Sequence, residues 1–420
     1  MPDLVQLTID KMVAGGQALA TDAAGKKVFV WNALPGETVR ARLIKRKRSY
    51  DEAIAEDIVT ASPERIEPIE ANYLATSPWQ MMTYAAENNY KKQLVVDIFG
   101  QHQVATPPVG EVVAAQEQWH YRNKMEYSFW GDDDGLHLAL YQRGTHGKQI
   151  VAGSALALPA IDAAAQQVCA QLGQLGVRAG DLKTLVVRCS QAGQVSVALF
   201  VKTKTFPELP LGSALQGCRV YYSNPKSPAS VMTELLHEQG IVQLHDSLLG
   251  ASFTYDVDSF FQVNLPIFER ALQQIRQHMA TPTLIDMYAG VGSIGLSVAQ
   301  ESVSLIELDV ATAQMAGVNA AASSLQTEVI ETSSEAALDY ITAATPLVVD
   351  PPRAGLHPKL IARIQDERPP RIAYLSCNPA TQARDLALLA EHYDVEFLEI
   401  YNFFPRTPHI ETLAILSRHG

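Results

Sequence analysis

The sequence predicts an α/β protein in three parts: a small N-terminal β-barrel, a central antiparallel α+β module, and a C-terminal doubly wound, mostly parallel sheet. Three observations carry this expectation. Short alternating runs broken by Gly and Pro turns fill residues 1–60. Two hairpin patterns around Gly- and Asp-rich turns mark the middle of the chain. From about residue 282, apolar strand-like runs alternate with helical stretches, as repeated βα units do.

The composition sets the outer limits. A chain of 420 residues is too long for one ordinary domain of about 100–200 residues. Hydrophobic residues at 47% and charged residues at 19% are ordinary globular usage, which excludes a mostly disordered chain. No run reaches the roughly 18 apolar residues that a membrane helix needs, so no membrane partner is expected. Met1-Pro2-Asp3-Leu4 shows no basic-then-apolar leader, and no signal peptide is expected. Four cysteines, Cys169, Cys189, Cys218 and Cys377, form no C-x-x-C pair. A zinc ribbon or disulfide framework is therefore unsupported, and the reducing cytoplasm is the expected location. The net charge of −12 hides an uneven spread: residues 1–60 hold nine Lys/Arg against eight Asp/Glu, ahead of an acidic body. A local basic cluster keeps an RNA partner possible despite the overall sign.

The elements follow in order. Leu4 to Ile9, Lys27 to Trp31 and Glu37 to Ile44 read as strands, with turns at Gly15-Gly16 and Pro35-Gly36. Short strands at this spacing suggest a small barrel, residues 1–60. Lys45-Arg46-Lys47-Arg48 is placed in the loop after the last of these runs, with Tyr50 close behind. A solvated loop and a nucleic-acid contact are about equally good readings of it. Residues 61–68 read as a linker, and helical periodicity runs from Met81 to Phe99, extending to about residue 104. The hairpins at 125–141 and 185–200 place an antiparallel module at 61–265. The last part, 266–420, has strands at 283–286, 304–307, 346–350, 372–376 and 409–416, with helices between them.

In such sheets ligands bind beyond the carboxyl ends of the strands, and here those ends carry unusual residues. Asp286-Met287-Tyr288-Ala289-Gly290-Val291-Gly292-Ser293-Ile294-Gly295 matches G-x-G-x-x-G between a strand and a helix, with Glu307 ending the next strand. A tight turn explains one glycine and not three, so a nucleotide-like ligand is favoured. The pattern itself fits a dinucleotide or S-adenosylmethionine, and Asp286 leans it toward the second. Asp350-Pro351-Pro352-Arg353 and Ser376-Cys377-Asn378-Pro379 leave their strands abruptly, because proline ends the ladder. Cys169, Cys189 and Cys218 read as small buried hydrophobes. Cys377 sits on the ligand-binding edge, where a thiol can be activated as a nucleophile. Glu411 opens an otherwise apolar final strand, as a solvated strand end or as a general base facing Cys377; His409 reads as structural.

Taken in order, these pieces resemble the uracil-5 RNA methyltransferases, bacterial enzymes that form 5-methyluridine in rRNA and tRNA. The matching segments are the barrel, Tyr121 to Glu126, Asp258-Ser259-Phe260-Phe261-Gln262-Val263-Asn264, the glycine loop, Asp350 to Arg353, Ser376 to Pro379 and His409 to Thr412. The resemblance covers nearly the whole chain. It implies a TRAM- or OB-like barrel and a Rossmann-like methyltransferase domain, with Cys377 as nucleophile and Glu411 as base. It also implies S-adenosylmethionine contacts at Gln262, Tyr288, Ser293, Glu307 and Asp350, joined by Asp286, Gly290 and Gly292 of the loop. Arg122 and Lys124, with Lys45, Arg46, Lys47 and Arg48, are the RNA-contact candidates, and the chain is expected to act as a monomer. Many members hold a [4Fe–4S] cluster through cysteines; here residues 74–80 and the stretch around Gly153 have none, so no cluster and no other metal is expected. Large-subunit (23S) rRNA is the expected target, and uridine 54 of tRNA the alternative. A nicotinamide oxidoreductase would leave Cys377 unexplained, an adenine methyltransferase normally needs an aromatic where Arg353 stands, and a non-catalytic RNA-binding protein would not need Cys377 and Glu411 together.

Overall fold

The computed structural model describes residues 4–145, 147–227 and 229–419. Leu4–Met12, Ala18–Thr21, Lys27–Trp31, Thr38–Arg46 and Tyr50–Thr60 close into a barrel, the last strand lying between the third and fourth. Alternate residues fill it: Leu7, Ile9, Ala18, Ala20, Val28, Val30, Val39, Ala41 and Ala53 are all buried. Glu37 is also fully buried, and is satisfied by Leu34 N–H at 2.8 Å, Ser62 N–H at 3.1 Å and the Arg65 guanidinium at 2.5 Å and 2.8 Å. The stretch read as a linker is thus pinned to the barrel. The basic run needs a correction: Lys45 and Arg46 finish the strand Thr38–Arg46, and only Lys47 and Arg48 lie in the turn. A bond from Lys47 N–H to Tyr50 O at 2.9 Å draws the hairpin shut sooner than a loop reading allows, and Lys45 pairs with Glu52 at 3.3 Å.

Helix Tyr84–Gln101 begins at Tyr84, later than the periodicity suggests, because Thr83 caps it from Oγ1 and Met82 bridges to Arg65 in extended form. It packs on helix Pro379–Leu389 of the C-terminal part. The central sheet has seven strands, in the order Glu234–Gly240, Gly217–Tyr222, Val195–Val201, Leu182–Cys189, Lys124–Asp132, Gly135–Tyr141, Lys148–Ile150. It is antiparallel except where Val195–Val201 runs parallel to Gly217–Tyr222, which corrects the wholly antiparallel expectation. A separate hairpin, Gln243–Leu248 with Ala251–Asp256, turns through Leu249 and Gly250 at φ 50° and 86°.

The C-terminal sheet also has seven strands, ordered Gln326–Glu331, Ser302–Glu307, Thr283–Asp286, Leu347–Val349, Arg371–Ser376, Glu411–Arg418, Tyr393–Tyr401. The first five are parallel, Glu411–Arg418 runs antiparallel to both of its neighbours, and Tyr393–Tyr401 again runs with the first five. Strand order reverses between Thr283–Asp286 and Leu347–Val349, so the loops after these two strands diverge and open a crevice. One hydrophobic cluster joins the barrel residues Leu7 and Val39 to Trp79, Leu94 and the sheet residues Leu347 and Ile372. Among the described residues no helix is long and apolar enough to cross a membrane.

Candidate active site

A cavity of about 1830 Å³ opens at that crevice, between the C-terminal strand ends and the central sheet. The glycine loop forms one wall. Its backbone is braced by Met287 N–H to Val348 O at 3.1 Å and Ala289 N–H to Ile306 O at 3.0 Å. The Glu307 carboxylate accepts Gly290 N–H at 2.9 Å and Asp309 N–H at 2.8 Å, tying the loop to the next strand. Gly290 has φ +57° with open space where a Cβ would stand. Gly292 is different: at φ +86°, a Cβ there would lie 2.8 Å from Leu296, so this glycine serves packing.

The structure divides the residues singled out along this edge. Gln262, Tyr288, Gly290, Glu307 and Asp350 line the cavity, whereas Asp286, Gly292 and Ser293 do not. Asp286 is fully buried behind the loop and holds it by accepting Gly295 N–H at 2.9 Å. Burial pushes its carboxyl up to about 7. The sequence did not single out Asp258, Phe260, Asp309, Thr312, Ser334 and His357, which also line the cavity. Most of them sit on loops with no motif, although Asp258 and Phe260 lie within a segment already quoted.

Beside the glycine loop the lining continues through Asp350, Arg353, Cys377 and Glu411. Register brings the last two together: Ser376 pairs with Thr412 in the antiparallel ladder, so Cys377 leaves one strand beside the point where Glu411 enters the other. Asn378 N–H bonds Ser376 Oγ at 3.1 Å, and Asn378 Nδ2 donates to Arg353 O at 2.9 Å. Those bonds fix the loop around Cys377, which is half-buried while the other three cysteines are buried. After Asp350, Gly355 turns at φ +80° against Arg384 and Asp385, and Leu356 N–H reaches Asp385 at 2.8 Å.

Burial dominates the electrostatics of these groups. Burial, then the Glu411 and Asp350 carboxyls, push the Cys377 thiol up to about 11, with Arg353 opposing. Burial and Asp350 hold Glu411 well above the usual carboxylate range. Burial and then Asp286 push Asp350 up to about 7. His409 is pushed down to about 4, first by burial and then by Arg353, so its neutral ring accepts from Arg353 Nη2 at 3.2 Å.

The loop leading into Glu411 is anchored from beneath. Glu87 and Lys91 are fully buried and pair at 2.9 Å. Lys91 donates to Asn402 Oδ1 at 2.6 Å and Phe404 O at 3.2 Å, while Glu87 accepts from Asn402 Nδ2 at 2.9 Å and Arg406 N–H at 3.0 Å. Arg406, at φ +65°, reaches Met82 O at 2.7 Å and also Gln118. Glu87→Ala would strand Lys91 as an unpaired buried charge. Urea unfolding should show a loss of about 3–5 kcal/mol; a loss within experimental error would show that the network relaxes at little cost.

The RNA-contact candidates separate. Arg122 and Lys124 line the cavity, whereas Lys45, Arg46, Lys47 and Arg48 do not. Among the described residues no group of three or more His, Cys, Asp or Glu is placed to hold a metal ion.

The model of the tRNA (uracil-5-)-methyltransferase family matches residues 336–419, the segment that carries Asp350, Cys377 and Glu411. An RNA methyltransferase of Lactobacillus johnsonii is 30% identical over 431 residues, 94% of each chain. One of Enterococcus faecalis is 27% identical over 437 residues, covering 93% of this chain and 92% of that protein. Among solved structures, Pyrococcus abyssi tRNA (uracil-54, C5)-methyltransferase in complex with S-adenosyl-L-homocysteine superposes with a TM-score of 0.79 at 22% identity, over 98% of this chain and 100% of that one.

Proposed function

This chain belongs to the RNA (uracil-5-)-methyltransferase family, and from that premise we propose that it transfers a methyl group from S-adenosylmethionine to C5 of a uridine in structured RNA, through a covalent adduct on Cys377. The observation that carries the reading is the ladder register that sets Cys377 beside Glu411 in the cavity that Glu307 and Gly290 also line. The residues fit the donor. Gly290 leaves room for close approach, Glu307 offers a carboxylate on the loop, and Gln262 and Asp350 complete that part of the wall. When bound, S-adenosylmethionine supplies an electrophilic methyl group on its sulfonium.

The chain's own residues do the rest. Uracil C5 is a weak nucleophile. The Cys377 thiol gives its proton to solvent, the thiolate Sγ bonds to C6, and the displaced C5–C6 π pair makes an enolate that renders C5 nucleophilic. Once C5 carries the methyl group, the Glu411 carboxylate takes the C5 proton. The freed pair re-forms the C5–C6 double bond and expels Sγ as thiolate. A high carboxyl pKa makes Glu411 a strong acceptor once ionised. The target base must leave its stack to reach Sγ, and the cavity has space for it beside the donor. This chemistry asks for no metal. Where relatives place cluster cysteines, Trp79 is fully buried and donates from Nε1 to Gly16 O at 3.1 Å.

For the RNA we propose 23S rRNA, because the barrel is commoner among the rRNA-modifying members. A tRNA reading is also supported: the Pyrococcus abyssi enzyme, named for uracil 54 of tRNA, matches over 98% of this chain. Mapping 5-methyluridine in a deletion strain separates the two. The reaction is tested by donor-dependent tritium release from RNA labelled at uridine C5, together with calorimetry of S-adenosylhomocysteine. Asp350→Ala should weaken that binding by about 10–100-fold with unchanged circular dichroism. Tight NADH binding with no response to S-adenosylhomocysteine would sink the reading.

A further inference from the structure

Arg188 is out of place as a structural residue. It lies on strand Leu182–Cys189 and is 1% exposed, yet its Nε and Nη1 have no hydrogen-bond partner among the described residues. Its guanidinium lies 5.2 Å from the Tyr255 ring and lines the active-site cavity. The acids around it are engaged elsewhere. Asp246 takes the Tyr255 hydroxyl at 2.5 Å and Gln191 N–H at 2.7 Å, and Asp258 takes the Tyr221 hydroxyl at 2.5 Å. Nearby Arg219 shows what a paired arginine looks like here, with Glu238 at 2.6 Å, Asp256 at 3.4 Å and Asp258 at 3.3 Å. A buried cation without such partners is costly, and the cost is offset only when a ligand brings the missing anion.

The same wall carries more positive charge. Lys124, the register partner of Arg188 on the adjoining strand, is paired with Glu126 at 2.9 Å, and Arg122, which also lines the cavity, has a buried Nε without a hydrogen-bond partner among the described residues. The donor end is acidic, with Glu307, Asp309 and Asp350. A phosphate is repelled there and drawn to the cationic wall, where a guanidinium can bind two of its oxygens at once. We propose that Arg188, with Arg122, seats a backbone phosphate of the RNA strand that carries the target uridine. This rests on the methyltransferase reading above.

The test uses the full chain and the unmodified 23S rRNA or tRNA transcript that the wild-type protein methylates. Arg188→Met should weaken RNA binding about tenfold at low salt and lower the slope of log affinity against log salt by about one. S-adenosylhomocysteine affinity should not change, and Tm should hold or rise, because an unpaired buried charge has been removed. Arg188→Lys should keep the salt slope and lose part of the affinity, since a point charge replaces the planar fork. Three outcomes overturn the proposal: unchanged RNA affinity and slope, a fall in S-adenosylhomocysteine affinity with RNA binding intact (the anion is then the donor's carboxylate), or a lowered Tm with equal loss of both ligands. A wild-type protein that releases no tritium overturns the methyltransferase reading and this inference with it. Tritium release by the wild type with an indifferent Arg188→Met overturns only the role of Arg188.

Discussion

Cys377→Ala should abolish methyl transfer while RNA and S-adenosylhomocysteine still bind with nearly wild-type affinity. Without Sγ the C6 adduct cannot form, C5 stays unreactive, and binding alone does not lower that barrier. The other cysteines offer no substitute. Cys169, Cys189 and Cys218 are buried, and burial pushes the first two thiols up to about 11 and the third to about 12. The measurement is single-turnover methyl transfer, with binding followed in parallel. Turnover by Cys377→Ala at even a tenth of the wild-type rate, to set a rough threshold, would exclude the covalent route. A pH dependence follows from the same residue. The reactive form is the thiolate, and the thiol sits near 11 in the free protein, so adduct formation should accelerate as pH rises from about 6 to about 9. Glu411 must also be ionised to act, and its raised pKa gives the same sign. A rate that falls with pH across that window would contradict both assignments.

Much of this site was legible in the sequence because the strand ends of a parallel sheet carry its chemistry, and motifs there have fixed neighbours. Cys377 and Glu411 could be paired before any coordinates, since each begins or ends an apolar run on the same edge. What was not legible depends on tertiary register. The G-x-G-x-x-G pattern does not show that Gly290 faces the cavity while Gly292 packs on Leu296 and Asp286 braces the loop from behind. Two edge strands of the C-terminal sheet, Gln326–Glu331 and Tyr393–Tyr401, were missed because their half-exposed faces mix acidic and apolar residues without strict alternation. The wall that holds Arg188 comes from pairing between strands more than 50 residues apart, with Lys124 opposite Arg188. The sequence had marked Lys124 but gave no sign of its neighbour. The Glu87–Lys91–Asn402–Arg406 network joins positions more than 300 residues apart, which no local pattern reveals.

Glu411→Gln should fail differently from Cys377→Ala. The amide keeps the size and much of the hydrogen bonding of the carboxyl group but takes no proton. Addition of Cys377 to C6 and one methyl transfer remain open to the variant. The C5 proton then has no acceptor, the C5–C6 double bond cannot re-form, and Sγ cannot leave. The protein should therefore accumulate as an RNA adduct that survives denaturing electrophoresis, carrying the label of a methyl-tritiated donor. The adduct should vanish when Cys377→Ala is added, because the two residues act in successive steps and the earlier loss masks the later. Wild-type protein should be caught at the same stage by RNA containing 5-fluorouridine, since fluorine cannot depart as a cation. Peptide mapping of either complex should locate the RNA on Cys377. The structure makes the contrast sharp, because Thr412, next to Glu411, is held by Gln382 Oε1 at 2.7 Å and by the ladder partner Ser376. An amide at position 411 can therefore be accepted without moving Cys377. If Glu411→Gln turned over normally, or gave no adduct while Cys377 stayed reactive, the resolving base would have to be another cavity carboxylate, and Asp350 is the one whose charge bears on both residues.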